Sequence, residues 1–158
     1  MKYRGLLAVL GLGISISLVS APGACEEKSK MLGIVGYNYT HRYIDSFDVE
    51  GQGGGNVFLS DHEGGGGSTY CCIGYNPMRP LPIRMKVRWT FGYKRNAQGM
   101  IVLPNETHEA SAELAGPVPL KPRFFEVHFM PDLRVQLRIT DDRSAPLVIV
   151  DRTKKETP

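Results

Sequence analysis

The chain has 158 residues, a formal net charge of +3, 42% hydrophobic residues and 18 glycines. Lys2 and Arg4 hold two of the 19 basic residues and no acid precedes Glu26, so from Cys25 onward 17 basic residues face 16 acidic ones, a net charge of +1. Nothing in that balance suggests nucleic acid, whose binding needs a concentrated cationic face, and the 134 residues from Cys25 onward suit one domain with a modest core.

Residues 1–24 read as an export signal. Lys2 and Arg4 supply a positive start, residues 6–19 an apolar centre, and Ala21, Pro22, Gly23 and Ala24 a small-residue approach to Cys25. The apolar run falls short of the ~20 residues that a bilayer-spanning helix needs. Cys25 is therefore the expected lipidation site, with residues 25–31 as lipidated cysteine and tether. Because Glu26 is not aspartate, the expected location is the periplasmic face of the bacterial cell envelope, as an outer-membrane lipoprotein with its membrane contact through the lipid on Cys25.

The mature chain then reads as strands. Residues 33–40 are β-prone through Ile34, Val35, Tyr37 and Tyr39, and residues 45–50 alternate polar residues with Phe47 and Val49. Two glycine clusters, 51–56 and 64–69, bracket Val57, Phe58 and Leu59 and read as irregular loops. Between Ile83 and Tyr93, apolar Ile83, Met85, Val87, Trp89 and Phe91 alternate with Arg84, Lys86, Arg88 and Thr90, giving one apolar and one cationic face. Residues 107–114 fit a strand or a short helix, and Pro117, Pro119 and Pro122 then forbid regular structure. Residues 124–130 and 133–140 alternate likewise and form a hairpin across Pro131 and Asp132. A short strand at 147–150 precedes a charged tail, 152–158.

No helical periodicity is sustained after the signal, and turn chemistry recurs about every ten residues. The expected fold is all-β, a single antiparallel β-sandwich-like domain over residues 32–151; the alternative is α+β with one short helix near 106–115.

Cys71 and Cys72 are adjacent, closer than the usual ~4.4–6.8 Å Cα spacing of a disulfide. Two unbridged thiols on a strand are the favoured reading, and a zinc site is disfavoured because it needs wider spacing and more ligands. The glycine clusters lack the lysine of a phosphate loop and the third glycine of a dinucleotide fingerprint; they serve close approach of backbone instead. His41, Asp45, Asp48, Asp61, His62 and Glu63 concentrate potential ligands, but solvated loop residues are the favoured reading, with no metal and no cofactor. No nucleophile elbow is present, and no catalytic residue is assigned.

Two surfaces compete as partner-binding sites. One is the pair of loops carrying Gly53, Gly54, Gly55, Asn56, Asp61, His62, Gly65, Gly66 and Ser68, where bulkier residues at Gly65 and Gly66 are expected to abolish binding at unchanged fold. The other is the basic face of Arg84, Lys86 and Arg88, suited to speeding encounter with an acidic partner. Trp89, Tyr75 and Tyr93 are candidate anchors if exposed.

The ordered motifs Gly36-Tyr37-Asn38-Tyr39-Thr40, Arg42-Tyr43-Ile44, the two glycine clusters, Cys71-Cys72, Val87-Arg88-Trp89 and Val127-His128-Phe129-Met130-Pro131 resemble the bacterial domain-of-unknown-function family 3304. The likeness runs from about residue 33 to 140. It implies a small exported protein, often a lipoprotein, some members of which look like immunity partners of type VI secretion phospholipase effectors. On that resemblance the expected function is occlusion of a cognate secreted lipase effector, without enzymatic activity. The alternative is an envelope enzyme or a small-ligand or metal-binding protein using the His41 and His62 region.

Overall fold

A computed structural model describes residues 29–62 and 64–148. The export signal, Cys25, residues 149–150 of the expected last strand, and the charged tail lie outside the described residues. Ten strands follow in chain order: β1 Lys30–Asn38, β2 Ile44–Val49, β3 Gln52–Val57, β4 Gly66–Tyr75, β5 Ile83–Phe91, β6 Lys94–Arg95, β7 Ile101–Leu103, β8 Glu106–Leu114, β9 Phe124–Phe129 and β10 Val135–Thr140. Eight of them close a barrel in the order β1-β4-β3-β2-β5-β8-β10-β9, while β6 and β7 form a separate two-stranded ribbon.

The barrel corrects the expected sandwich. Period-two alternation is common to both architectures, and the difference lies in whether the outermost strands find each other. Here β1 pairs antiparallel with β4 along one edge and parallel with β9 along the other, from Gly33↔Phe124 to Asn38↔Phe129. A second parallel joint, Leu137↔Leu114, links β10 to β8, so the barrel is not purely antiparallel either. The helical alternative near 106–115 is also overturned. Residues 106–114 are β8, paired with β5 from Ile83↔Leu114 to Phe91↔Glu106, with Ala112 and Leu114 buried and Glu109, Ser111 and Glu113 exposed. That is a period of two, not 3.6.

The glycine clusters are strands as well. Val49 and Gln52 pair across a two-residue turn, Glu50-Gly51, in which both residues have positive φ (51° and 78°), the conformation of a tight hairpin. The interior is filled by inward side chains of all eight strands. Trp89 and Phe129 meet at 5.4 Å between ring centroids, and Phe47 meets Phe129 edge-on at 5.3 Å. Fully burying such side chains contributes ~1.5–3 kcal/mol each. β1 and β9 are buried on both faces. The outward side chains of Val35, Tyr37 and Tyr39 form a second cluster with Phe124, Met130 and Val148.

Strand direction and register define two ends. One end, the upper rim, carries the connections 39–43, 58–65, 92–105 and 130–134; the lower end carries Lys30, the Glu50-Gly51 turn, residues 76–82 and residues 115–123.

Candidate interaction surface

Gly53, Gly54, Gly55 and Asn56 lie on β3, and Gly66 and Ser68 on β4, rather than in loops. Most of these glycines are already covered by the protein's own chain. The Phe47 ring occupies the space a Cβ would take at Gly54, and the Tyr70 ring does the same at Gly55, which also has φ +76°. At Gly65 a Cβ would stand 2.9 Å from Gly36 O and from the Tyr37 ring, and Gly66, at φ +80°, lies against the Phe58 carbonyl. Bulkier residues at Gly65 and Gly66 therefore disturb the fold itself, contrary to expectation. In the two glycine clusters, Gly51, Gly53 and Gly64 have nothing within 4 Å of a Cβ. Asn56 is engaged too: its Nδ2 donates to Tyr43 OH and its Oδ1 accepts from Tyr70 OH, both at 2.9 Å.

Asp61 and His62 sit exposed on the upper rim. Their loop is pinned at its base, where Ser60 Oγ donates to Gly65 O at 2.5 Å and accepts from Asn38 N at 2.7 Å. Gly64 N donates to Asp61 Oδ1 at 3.1 Å. His41 is on the same rim, in a pocket of about 250 Å³ lined also by Arg42, Tyr43, Gly92, Tyr93, Lys94 and Leu103. Among the described residues no three His, Cys, Asp or Glu side chains converge as a metal site requires.

The basic face is balanced by acids. Lys86 Nζ lies 3.2 Å from Glu109 on β8, Arg88 Nε lies 3.2 Å from Asp48 on β2, and Arg84 stands opposite Glu113 in register. Trp89 and Tyr75 are buried, leaving Tyr93 as the exposed anchor of the three. Cys71 and Cys72 are joined by a disulfide, which corrects the expected pair of free thiols. The bridge falls where β4 bulges against β1, between the pairs Leu32↔Ile73 and Ile34↔Tyr70, and a bulge relaxes the alternation that would otherwise send the two side chains to opposite faces.

An exposed apolar ribbon was not anticipated. The ribbon of β6 and β7 presents Tyr93, Met100, Ile101, Val102 and Leu103 at 55%, 62%, 53%, 50% and 39% exposure. Phe58, 62% exposed, extends this surface through Tyr43, whose ring lies 4.9 Å away. The ribbon is a built element. Its tip is closed by Asn96, whose Oδ1 accepts from Gln98 N and Met100 N, with Gly99 at φ +80°. Its base is clamped by Arg42, whose Nη2 donates to Gly92 O at 3.0 Å and Pro104 O at 2.8 Å while Nη1 pairs with Glu106 at 2.7 Å. Charge-assisted bonds to both legs fix the ribbon's angle to the barrel. The signal in the sequence was the four-residue apolar run between Gly99 and Pro104, too short to read as a strand but unprotected by any alternation.

A second feature missed by sequence is a polar network on the outer face of β1 and β9. Glu126 and His128 are fully buried there, under residues 141–148. Ser144 N donates to Glu126 Oε1 at 2.7 Å, and Tyr37 OH donates to Ser144 O at 2.7 Å. With the imidazole proton on Nε2, His128 donates to Glu126 Oε2 at 3.3 Å and accepts from Tyr39 OH at Nδ1 at 3.0 Å; Tyr39 OH in turn accepts from Leu147 N at 2.9 Å. Burial opposes charge on Glu126, but the bonds from His128 and Ser144 outweigh it and hold its carboxyl down to about 2. Burial, and then the Glu126 charge, pushes the Tyr37 hydroxyl up, and burial raises Tyr39 likewise. Every polar atom of this network points at another part of the chain, so its work is to hold residues 141–148 on the barrel.

A family model described as a protein of unknown function (DUF3304) matches residues 37–137, from the end of β1 to the middle of β10. No curated protein and no solved structure matches the chain.

Proposed function

The chain belongs to that family, and on this premise we propose that it works by binding: an immunity protein of the bacterial envelope that occludes a type VI secretion lipase effector and turns over no substrate of its own. The observation that carries this reading is the rigid apolar ribbon on the upper rim. An enzyme that takes lipid presents an apolar surround to its catalytic cleft, and a narrow two-stranded ribbon of apolar side chains complements such a surround. Lys94 and Arg95 on the same ribbon favour a partner with acidic residues near that cleft.

The placement of the ribbon supports an anchored protein. β1 starts at Lys30 on the lower end, five residues after Cys25, a reach of at most ~18 Å. A lipid on Cys25 then holds the lower end near the bilayer and turns the ribbon towards the periplasm. Cys25→Ser is expected to move the protein from the membrane fraction to the soluble fraction.

Co-expression with the cognate lipase tests the function. Wild type is expected to protect cells and to form a 1:1 complex. Ile101→Asp with Val102→Asp should lose both at an unchanged unfolding midpoint, because both side chains are exposed. No complex with wild type, or full protection by the double variant, overturns this reading. The rival, an envelope enzyme or small-ligand binder, has the pocket beside His41 in its favour; metal-dependent turnover by purified protein would establish it.

A further inference from the structure

The lower end of the barrel has a lateral window. β2 and β3 stop at the Glu50-Gly51 turn, the last β2–β5 pair is Val49↔Val87, and Glu50 N still donates to Lys86 O at 2.9 Å, so residues 83–85 of β5 run on below the turn. On the other side β4 stays paired with β1 as far as Tyr75↔Lys30, whereas its ladder to β3 is the single pair Val57↔Gly67. Two strands of wall are therefore missing between the start of β5 and the end of β4.

The gap is a cleft of about 580 Å³, lined by Met31, Ile73, Ile83 and Met85 together with Arg79, Arg84, Glu50, Gln52, Cys72 and Gly74. It adjoins an inner chamber of about 160 Å³, which shares Gly74, Arg79, Ile83 and Met85 and ends on the buried side chains of Leu114 and Phe125. Two exposed arginines at the rim and an apolar floor leading inward are what an amphiphile with one negative headgroup requires. The carboxylate that also lines the cleft, Glu50, has one oxygen engaged by the Lys86 N–H at 2.5 Å.

We propose that this window binds a single-chain anionic amphiphile, with its headgroup on Arg79 and Arg84 and its alkyl chain directed past Met31, Ile83 and Met85 towards Leu114. A long-chain carboxylate and a single-chain phosphate share this chemistry. The site lies at the opposite end from the ribbon, so it stands or falls independently of lipase binding.

The test is calorimetric titration of the purified full chain with dodecanoate, dodecyl phosphate and dodecanol, each below its aggregation limit. One equivalent of dodecanoate or dodecyl phosphate is expected to bind at least tenfold more tightly than dodecanol. Binding of one anion and not the other identifies a carboxylate or a phosphate source. Arg79→Ala with Arg84→Ala should weaken anion binding about tenfold or more, as expected for loss of charge-assisted bonds. Gly74→Phe gives a second, independent arm. A Cβ at Gly74 meets only the Met31 sulfur, at 4.0 Å, so a side chain there starts in open space at the cleft wall, and binding should fall with the near-ultraviolet circular dichroism unchanged. Equal affinity for dodecanol, no binding of either anion, or undiminished binding by the folded Gly74→Phe protein overturns the proposal.

Discussion

The Tyr70 ring lies over Gly55, and its hydroxyl reaches one residue further to donate to Asn56 Oδ1 at 2.9 Å. A glycine in β3 thus serves as the seat of an aromatic side chain from β4, across a seam with only one ladder pair. Gly55→Ala meets both a positive φ and the ring, and is expected to cost about 2–4 kcal/mol. Gly53→Ala, in open space, should change stability by less than about 1 kcal/mol. Urea unfolding of the two variants checks the contrast; equal effects would remove Tyr70 as the reason for the glycine.

Stability should fall in acid through Glu126. Its carboxyl is held at about 2 in the folded protein against an ordinary 4.5. A depressed folded value contributes stability that is fully present above the unfolded value, and it is lost as pH drops from about 4.5 towards 2. The contribution is on the order of 3 kcal/mol. Glu126→Gln should flatten the unfolding free energy across that window, and a profile identical to wild type would refute the assignment.

The arginines of β5 should matter little to association. Arg88 is paired with Asp48 and Lys86 with Glu109, all at the surface, where such pairs contribute about 0–1 kcal/mol. Arg88→Ala is expected to change the on-rate for a protein partner less than about threefold at physiological salt. A steep salt-dependent loss would restore the basic face as a steering surface.

Mass analysis without reductant should find the peptide holding Cys71 and Cys72 lighter by two hydrogens than its reduced form, since the two are bridged. Alkylation at either position without prior reduction would contradict this.

Much of the strand content, though not the barrel, was legible in the sequence. β5 and β10 followed from alternation, because each buries one face in the core, and β9 followed from the alternation of its residue types although both its faces are buried. β3 was not legible and β4 was legible only at Cys71 and Cys72, since glycine carries no apolar signal and the space over Gly54 and Gly55 is filled by Phe47 and Tyr70 from neighbouring strands. Closure was not legible either: the β1–β9 joint brings residues 33–38 to residues 124–129, and no local pattern encodes a contact so far along the chain. Asp61 and His62 are exposed, whereas the polar network stayed hidden because Glu126 and His128 look like the solvated face of an ordinary amphipathic strand.

The barrel's final joint is made between its first strand and its ninth, and it is sealed on the outside by residues up to Leu147. A chain that emerges from a pore amino end first holds β1 early but lacks both its parallel neighbour and the cover over Tyr37 and Tyr39. Folding is therefore expected to wait for release of nearly the whole polypeptide, with slow, non-local closure as its last step. Until then, the doubly apolar first strand stands open, and it is the segment of the chain most exposed to aggregation during folding.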